Sequence, residues 1–248
     1  MRDDLLGAQA SVDWAVSNFP ALQTRLDRWR DDNFEMVVKN APGNDAENLL
    51  VAQEKEPLPF AVAVEAGAYV NAIRSSLDIL ATALAHRHRM AIRDEDIYFP
   101  IVASEAVFTD GKYKGSKFVQ GLPAPERRLV ELLKPYQGGN PLLWSLHHLD
   151  ILRKHFRLLA VDANPASFHI TGLGLKDHFR RVGTGWVEGA PGETVVGFLT
   201  KNAPRFQMKF TGYVGLNEPG PLARDPLVSA LDKLASLANS IIKLFDTP

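Results

Sequence analysis

Five polar side chains recur at helical spacing in the middle of the chain: Asn71, Arg74, Ser75, Asp78 and Thr82. At roughly 100° per residue they fall within an arc of about 100°, and apolar residues occupy the other side of the same helix. An exposed helix face usually carries Lys and Glu, whereas Asn, Ser, Asp and Thr favour caps and turns. We therefore expect this stripe to face a polar partner within the fold.

The partner that the chain offers is a second helical segment, residues 147–155 with the sequence HHLDILRKH. Apolar residues fall on two faces of this helix, which is typical of a helix that is mostly buried. Arg153 projects beside one apolar stripe, where a guanidinium must pair with a carboxylate to offset its desolvation. Asp78 and Glu65 on the first helix are the carboxylates available to it.

We predict that ion pairs join these two helices. Asp78 is expected to pair with Arg153 or His155, and Arg74 with Asp150. In one interpretation this is a buried structural network that fixes the register of the helices. In the other, the same residues line a polar pocket that does chemistry or binds a ligand.

The histidines do not predict a metal site. His148 and His155 lie seven residues apart, which is about 10 Å along a helix axis and too far for one ion. His147 and Asp150 stand at helical i, i+3 spacing, but the sequence offers no third ligand.

The composition excludes several other kinds of site. The chain has no cysteine, which removes disulfides, thiolate nucleophiles and Cys-ligated zinc. Gly172-Leu173-Gly174 follows a predicted strand, but Asp177 stands where a dinucleotide-binding loop needs its third glycine. We therefore expect no cofactor.

Charge and hydropathy argue against nucleic acid and membrane partners. The formal net charge of −1 gives no global attraction to polyanions. Basic runs at residues 86–89, 112–117, 153–157 and 176–181 could join into an RNA-facing patch, but acidic residues 94–96 follow the first run directly. No apolar run is long enough to span a bilayer, and the N-terminus has no signal-peptide core. We expect a soluble cytoplasmic protein whose partner is a small ligand or another protein.

Hydrophobic periodicity predicts an α+β fold in which long helices pack with an antiparallel sheet and a C-terminal helix. The predicted helices cover about 5–30, 60–90, 125–133 and 142–161, and a last one begins with Asp225 as N-cap. The predicted strands cover 34–38, 47–51, 168–171, 193–200 and 205–213, where Phe206, Met208 and Phe210 alternate with polar residues. A hairpin is predicted for the first two strands.

A single domain over 1–248 is favoured. A division near Asn164, into a helical region of residues 1–163 and a sheet-plus-helix region of residues 164–248, is the alternative.

About a hundred central residues resemble a set of uncharacterised bacterial proteins. The shared motifs are an Arg-Ser-x-Leu-Asp helix, a Phe-Pro-Ile passage, a Pro-Tyr turn and a Leu-Asp-x-x-x-Lys-His helix. In this chain they read Arg74-Ser75-Ser76-Leu77-Asp78, Phe99-Pro100-Ile101, Pro135-Tyr136, and Leu149-Asp150 followed by Lys154-His155. The chain differs from the pattern at Ile79 and Arg153, where His and Asp are expected. The resemblance implies no established activity.

The combination of a polar helix with a later His-containing helix is also faintly similar to the HEPN ribonucleases. Their hallmark is an Arg followed by a His after four to six intervening residues, a spacing that no Arg of this chain has. This resemblance would make His155, with Arg153 or Arg74, the group that acts on a ribose 2′-hydroxyl.

Two functional hypotheses follow from these residues. The first is a non-enzymatic binding protein whose polar network comprises Arg74, Asp150, Arg153 and His148, together with Asp78 and His155. The second is an enzyme that uses His155 and Asp78 as general acid and base, of the HEPN-like ribonuclease kind.

Overall fold

The computed structural model describes residues 1–182, 187–190 and 192–246. Its helices are α1 (Leu6–Asn33), α2 (Phe60–Arg87), α3 (Glu105–Asp110), α4 (Ser116–Gly121), α5 (Ala124–Leu132), α6 (Pro141–His155) and α7 (Leu227–Leu244). Its strands are β1 (Phe34–Asn40), β2 (Glu47–Glu54), β3 (Val161–Thr171), β4 (Phe179–Arg181), β5 (Val187–Glu188), β6 (Glu193–Thr200), β7 (Gln207–Leu216) and β8 (Asp225–Pro226). The predicted α+β class is confirmed.

The strands form two sheets. One has the order β1-β2-β6-β4, with β5 also paired to β6, and the other has the order β3-β7-β8. The first two strands form the predicted hairpin, with the antiparallel register Phe34↔Glu54. Two β-favouring runs flank the turn-forming sequence APGND here, and this local pattern is sufficient to specify a hairpin.

The chain divides into two compact units. Unit 1 comprises Met1–Leu22, Phe60–Val161 and Leu216–Pro248, and unit 2 comprises Gln23–Pro59 and Asp162–Gly215. Each unit therefore combines segments that are distant in sequence, whereas the sequence pattern suggests only a contiguous division. The single-domain organisation stays a prediction.

The core of unit 1 is helical. Helix α2 packs against α6 and α7, and its apolar side is fully buried at Ile73, Leu77, Leu80 and Leu84. These residues recur at steps of three and four, so they form one face of α2, and that face packs in the core. The polar stripe on the other side of the helix is thereby held in a fixed orientation.

The core of unit 2 lies on its sheet. Leu50, Val196 and Leu199 are buried there, and Phe206 and Met208 pack against them. Gln207, between the last two, is exposed, so the predicted alternation is confirmed at these positions. The side chain of Phe210 lies outside the described part of the structure.

Two predicted helix boundaries are wrong. Helix α6 ends at His155 and not near residue 161. The next apolar residue, Phe156, is 73% exposed, so no core packing of this side chain stabilises a longer helix. Asp225 does not cap α7: the N-cap is Pro226, without a side-chain hydrogen bond, and the Asp225 carboxylate accepts from Lys233 at 2.7 Å instead.

Helix α2 provides a test of this packing. Replacing Leu80, which is fully buried, with alanine should lower the free energy of unfolding by about 2–5 kcal/mol through lost burial and a cavity. Thermal unfolding followed by circular dichroism measures this as a fall in midpoint of roughly 2–4 °C per kcal/mol. The neighbouring Ile79→Ala is the matched control, since Ile79 is 38% exposed. Equal shifts for the two variants would contradict the orientation of α2.

Candidate functional site

The polar stripe of α2 is withdrawn from solvent. Arg74 is only 4% exposed, and the other four residues of the stripe are partly buried. One turn later on the helix, the Asp78 carboxylate places Oδ1 2.9 Å from Nη1 of Arg74. For Arg74 and Asp78, the expectation that this face meets other polar groups is confirmed by this contact and by those described next.

Both side chains bind the main chain of Phe99. Nη2 of Arg74 donates to the Phe99 carbonyl at 3.2 Å, and the Phe99 N–H donates to Oδ1 of Asp78 at 3.0 Å. The extended passage therefore runs alongside α2, and Val102 continues it into a parallel bridge with Tyr136. This arrangement forms one wall of the candidate site.

Helix α6 supplies a buried carboxylate, that of Asp150, which is 4% exposed. Asp150 is paired within its own helix: Nε of Arg153 donates to Oδ1 at 3.1 Å, and Nζ of Lys154 donates to Oδ2 at 2.5 Å. Both cations stand three or four residues after Asp150, the spacing at which helical side chains meet.

The predicted ion pairs between the two helices are therefore wrong. Asp78 pairs with Arg74 and not with Arg153 or His155, and Asp150 pairs with Arg153 and Lys154 and not with Arg74. Each carboxylate finds a cation one turn away on its own helix, which needs no particular alignment between helices.

Arg153 contacts α2 through packing. A Cβ added to Gly67 would lie 3.1 Å from Cδ of Arg153, so the missing side chain leaves room for the aliphatic part of the arginine. Long cationic side chains commonly cover apolar surface in this way. Arg153 thus lies between the helices, as predicted, but not through a charge pair with α2.

A cavity of about 370 Å³ opens between these elements of unit 1. We call it the Arg74 cavity. Four predicted site residues line it: Arg74, Asp78, Asp150 and His155. The remaining lining residues are Tyr98, Phe99, Ile101, Val102, Lys114, His147, Ile151 and Lys154.

Two predicted site residues do not line this cavity. Arg153 packs on Gly67, and His148 faces a separate cavity of about 350 Å³ with Trp144, Leu149 and Glu218 in its wall. The His148 and Trp144 rings stack there with centroids 6.1 Å apart. Adjacent residues of a helix point in directions about 100° apart, which is why His147 and His148 line different cavities.

Sequence reasoning missed Lys114. It lies in a loop for which no helical or strand pattern gives a position, and its Nζ is 3.7 Å from the centre of the Tyr98 ring. The next residue, Gly115, has φ +92°, and a Cβ there would lie 2.7 Å from the Tyr98 carbonyl oxygen. This glycine in the left-handed region is the one sequence signal that the loop closes tightly on Tyr98.

The cavity holds His147 in its neutral form. Burial, followed by the positive charge of Arg74, lowers the pKa of His147 to about 4. In the second cavity, burial would raise the pKa of Glu218, but hydrogen bonds from Arg157 and the Ala160 N–H lower it.

The guanidinium of Arg74 is incompletely satisfied. Nε and Nη1 are buried, yet neither has an acceptor in hydrogen-bond geometry, although Nη1 lies close to Asp78. An unsatisfied buried donor costs about 1–3 kcal/mol, and more when the group is charged. Arg74 therefore lies at the cavity wall with a charge that its contacts balance only in part.

Comparison of the chain with protein-family models, curated proteins and solved structures gives no match. Within the described ranges, no group of three or more His, Asp or Glu side chains is arranged to hold a metal ion. No described helix is long and apolar enough to cross a membrane.

The lowered pKa of His147 predicts a pH dependence of stability. The unfolded chain binds a proton near pH 6.5 and the folded chain only near pH 4, so stability is full above pH 6.5 and falls as the pH decreases towards 4. We expect the free energy of unfolding to fall by about 1–3 kcal/mol over this interval. This is less than the full pKa difference would give, because the ring is only partly buried.

Thermal unfolding of the wild type and His147→Gln between pH 7 and pH 4 measures this effect. The variant should lose less stability than the wild type over this interval, whereas His148→Gln, at the exposed neighbouring ring, should follow the wild type. Identical pH profiles for wild type and His147→Gln would contradict the prediction.

Proposed function

We propose that this chain is a non-enzymatic binding protein that holds a small anionic molecule in the Arg74 cavity. The proposal rests chiefly on Arg74, whose guanidinium lines the cavity and is only partly satisfied by Asp78 and the Phe99 carbonyl. Carboxylates and phosphates are the natural complements of such a group.

The charges of the cavity wall support an anion. Three cationic side chains line it, Arg74, Lys114 and Lys154, against the two carboxylates of Asp78 and Asp150. The carboxylates reduce the repulsion among these cations, since each is within ion-pair distance of a cation on its own helix. The volume lies near the lower end of the range for ligand pockets, which favours a small metabolite over a macromolecule.

We further propose that the protein works in the bacterial cytoplasm. The resemblance to uncharacterised bacterial proteins supports the bacterial origin. The absence of cysteine from the sequence is compatible with a reducing compartment.

A second candidate function is acid–base catalysis in the same cavity. The observation that favours it is that His155 and Asp78, the predicted catalytic pair, both line this wall. An HEPN-like ribonuclease would cleave a single-stranded RNA oligonucleotide, and His155→Gln would abolish the cleavage. An intact oligonucleotide after incubation with the wild type would contradict this function.

Ligand-induced thermal stabilisation tests the binding function. Simple carboxylates and inorganic phosphate, added singly at low ionic strength, should raise the unfolding midpoint of the wild type. A ligand at 100 times its dissociation constant stabilises by about 2.7 kcal/mol. Arg74→Met should abolish this response because it removes the guanidinium but keeps a side chain of similar length.

The matched control is Lys112→Gln, because Lys112 is highly exposed and does not line the cavity. It should respond as the wild type does, which separates binding from the general stabilisation by excluded anions. The binding function fails if no anion stabilises the wild type more than Arg74→Met.

A further inference from the structure

We propose that the ligand of the Arg74 cavity is an α-amino acid with an acidic side chain. This inference rests on the proposed function and specifies the chemical class of the anion. It is carried by three polar features of the cavity wall that lack complete partners, one for each charged group of such a ligand.

The first feature accepts the α-carboxylate. The guanidinium of Arg74 lines the cavity, its Nη1 lies 2.9 Å from Oδ1 of Asp78 but outside hydrogen-bond geometry, and its Nε has no acceptor. Both nitrogens are buried, so a carboxylate in the cavity is attracted by the partly balanced charge of the guanidinium and need not bond to either of them. Attraction between opposite charges is stronger where water is excluded.

The second feature accepts the ammonium group. Oδ1 of Asp78 is occupied by the Phe99 N–H and by Arg74. Oδ2 has no hydrogen-bond partner among the described residues, and the Asp78 side chain is 34% exposed. Because Asp78 lies directly beside Arg74, the wall presents an anion next to a cation. An α-amino acid presents the complementary arrangement, an ammonium one carbon from a carboxylate.

The third feature accepts a second carboxylate. Lys154 is neutralised by Asp150, but Lys114 has no carboxylate partner within the described ranges and lies over the Tyr98 ring. It is therefore the cation of the wall that is free to bind an acidic side chain. Leaving the histidines aside, three cations and two carboxylates give the wall a charge of +1, which balances the −1 charge of an acidic amino acid.

Isothermal titration calorimetry of the full chain tests this inference with six probes. L-Glutamate and L-aspartate carry all three groups, L-glutamine and L-asparagine lack the side-chain charge, and glutarate and succinate lack the ammonium group. The wild type should bind one of the two acidic amino acids, and the matching deficient probes should bind at least about tenfold more weakly, the value of one charge-assisted hydrogen bond.

Two variants identify the residues responsible. Lys114→Gln should remove most of the preference for glutamate over glutamine. Asp78→Asn, which keeps the acceptor for Phe99, should remove most of the preference for glutamate over glutarate. Lys112→Gln should preserve both preferences.

The possible failures are distinguishable. If the diacid binds the wild type as tightly as the matching acidic amino acid, the amino-acid class is overturned, and if the amide binds as tightly, the acidic side chain is overturned. Carboxylate binding stands in both cases. If no carboxylate or phosphate binds at all, the proposed function fails and this inference fails with it. Both comparisons use the wild type, so they stand even if a variant does not fold.

Discussion

The candidate site depends on the way in which α2 holds the main chain of Phe99. Arg74 donates to the Phe99 carbonyl and Asp78 accepts from its N–H, so both polar groups of one extended residue are bound by side chains of one helix. The passage that follows pairs at Val102 with Tyr136, shortly before α6 begins. The contact thus orients one wall of the cavity relative to the helical core.

The contact with Phe99 leaves the buried guanidinium of Arg74 with hydrogen-bond donors that lack partners. Burial of a guanidinium is costly unless all its donors are paired, and the removal of both partners of a buried charge pair in favour of apolar groups is often neutral or stabilising. Asp78 and Phe99 together satisfy only some of the donors of this group. Arg87 Nη2 and Arg127 Nε are also buried without a partner, so an unpaired guanidinium nitrogen does not by itself distinguish a binding site from a structural contact. What sets Arg74 apart is that it lines a cavity together with Lys114, which has no carboxylate partner among the described residues.

Periodicity predicted much of the fold, since the helical pattern of α2 and the alternation in β7 are local properties of the sequence. It also identified four of the residues that line the cavity, because they lie on two helices whose polar positions follow helical spacing. Periodicity could not predict the ion pairs, because Asp78 and Asp150 each have a possible cationic partner on their own helix and another on the facing helix. Lys114 was missed because its position depends on a loop turn at Gly115, and the two units were missed because each combines distant segments.

The most direct test of the central claim is the dissociation constant of inorganic phosphate for the wild type and for Lys114→Gln, measured by calorimetric titration at pH 7 and low ionic strength. Lys114 lines the cavity without a carboxylate partner among the described residues, so the account predicts that phosphate binds the wild type and binds the variant at least about tenfold more weakly. No binding to the wild type, or equal binding to the two proteins, would contradict the account.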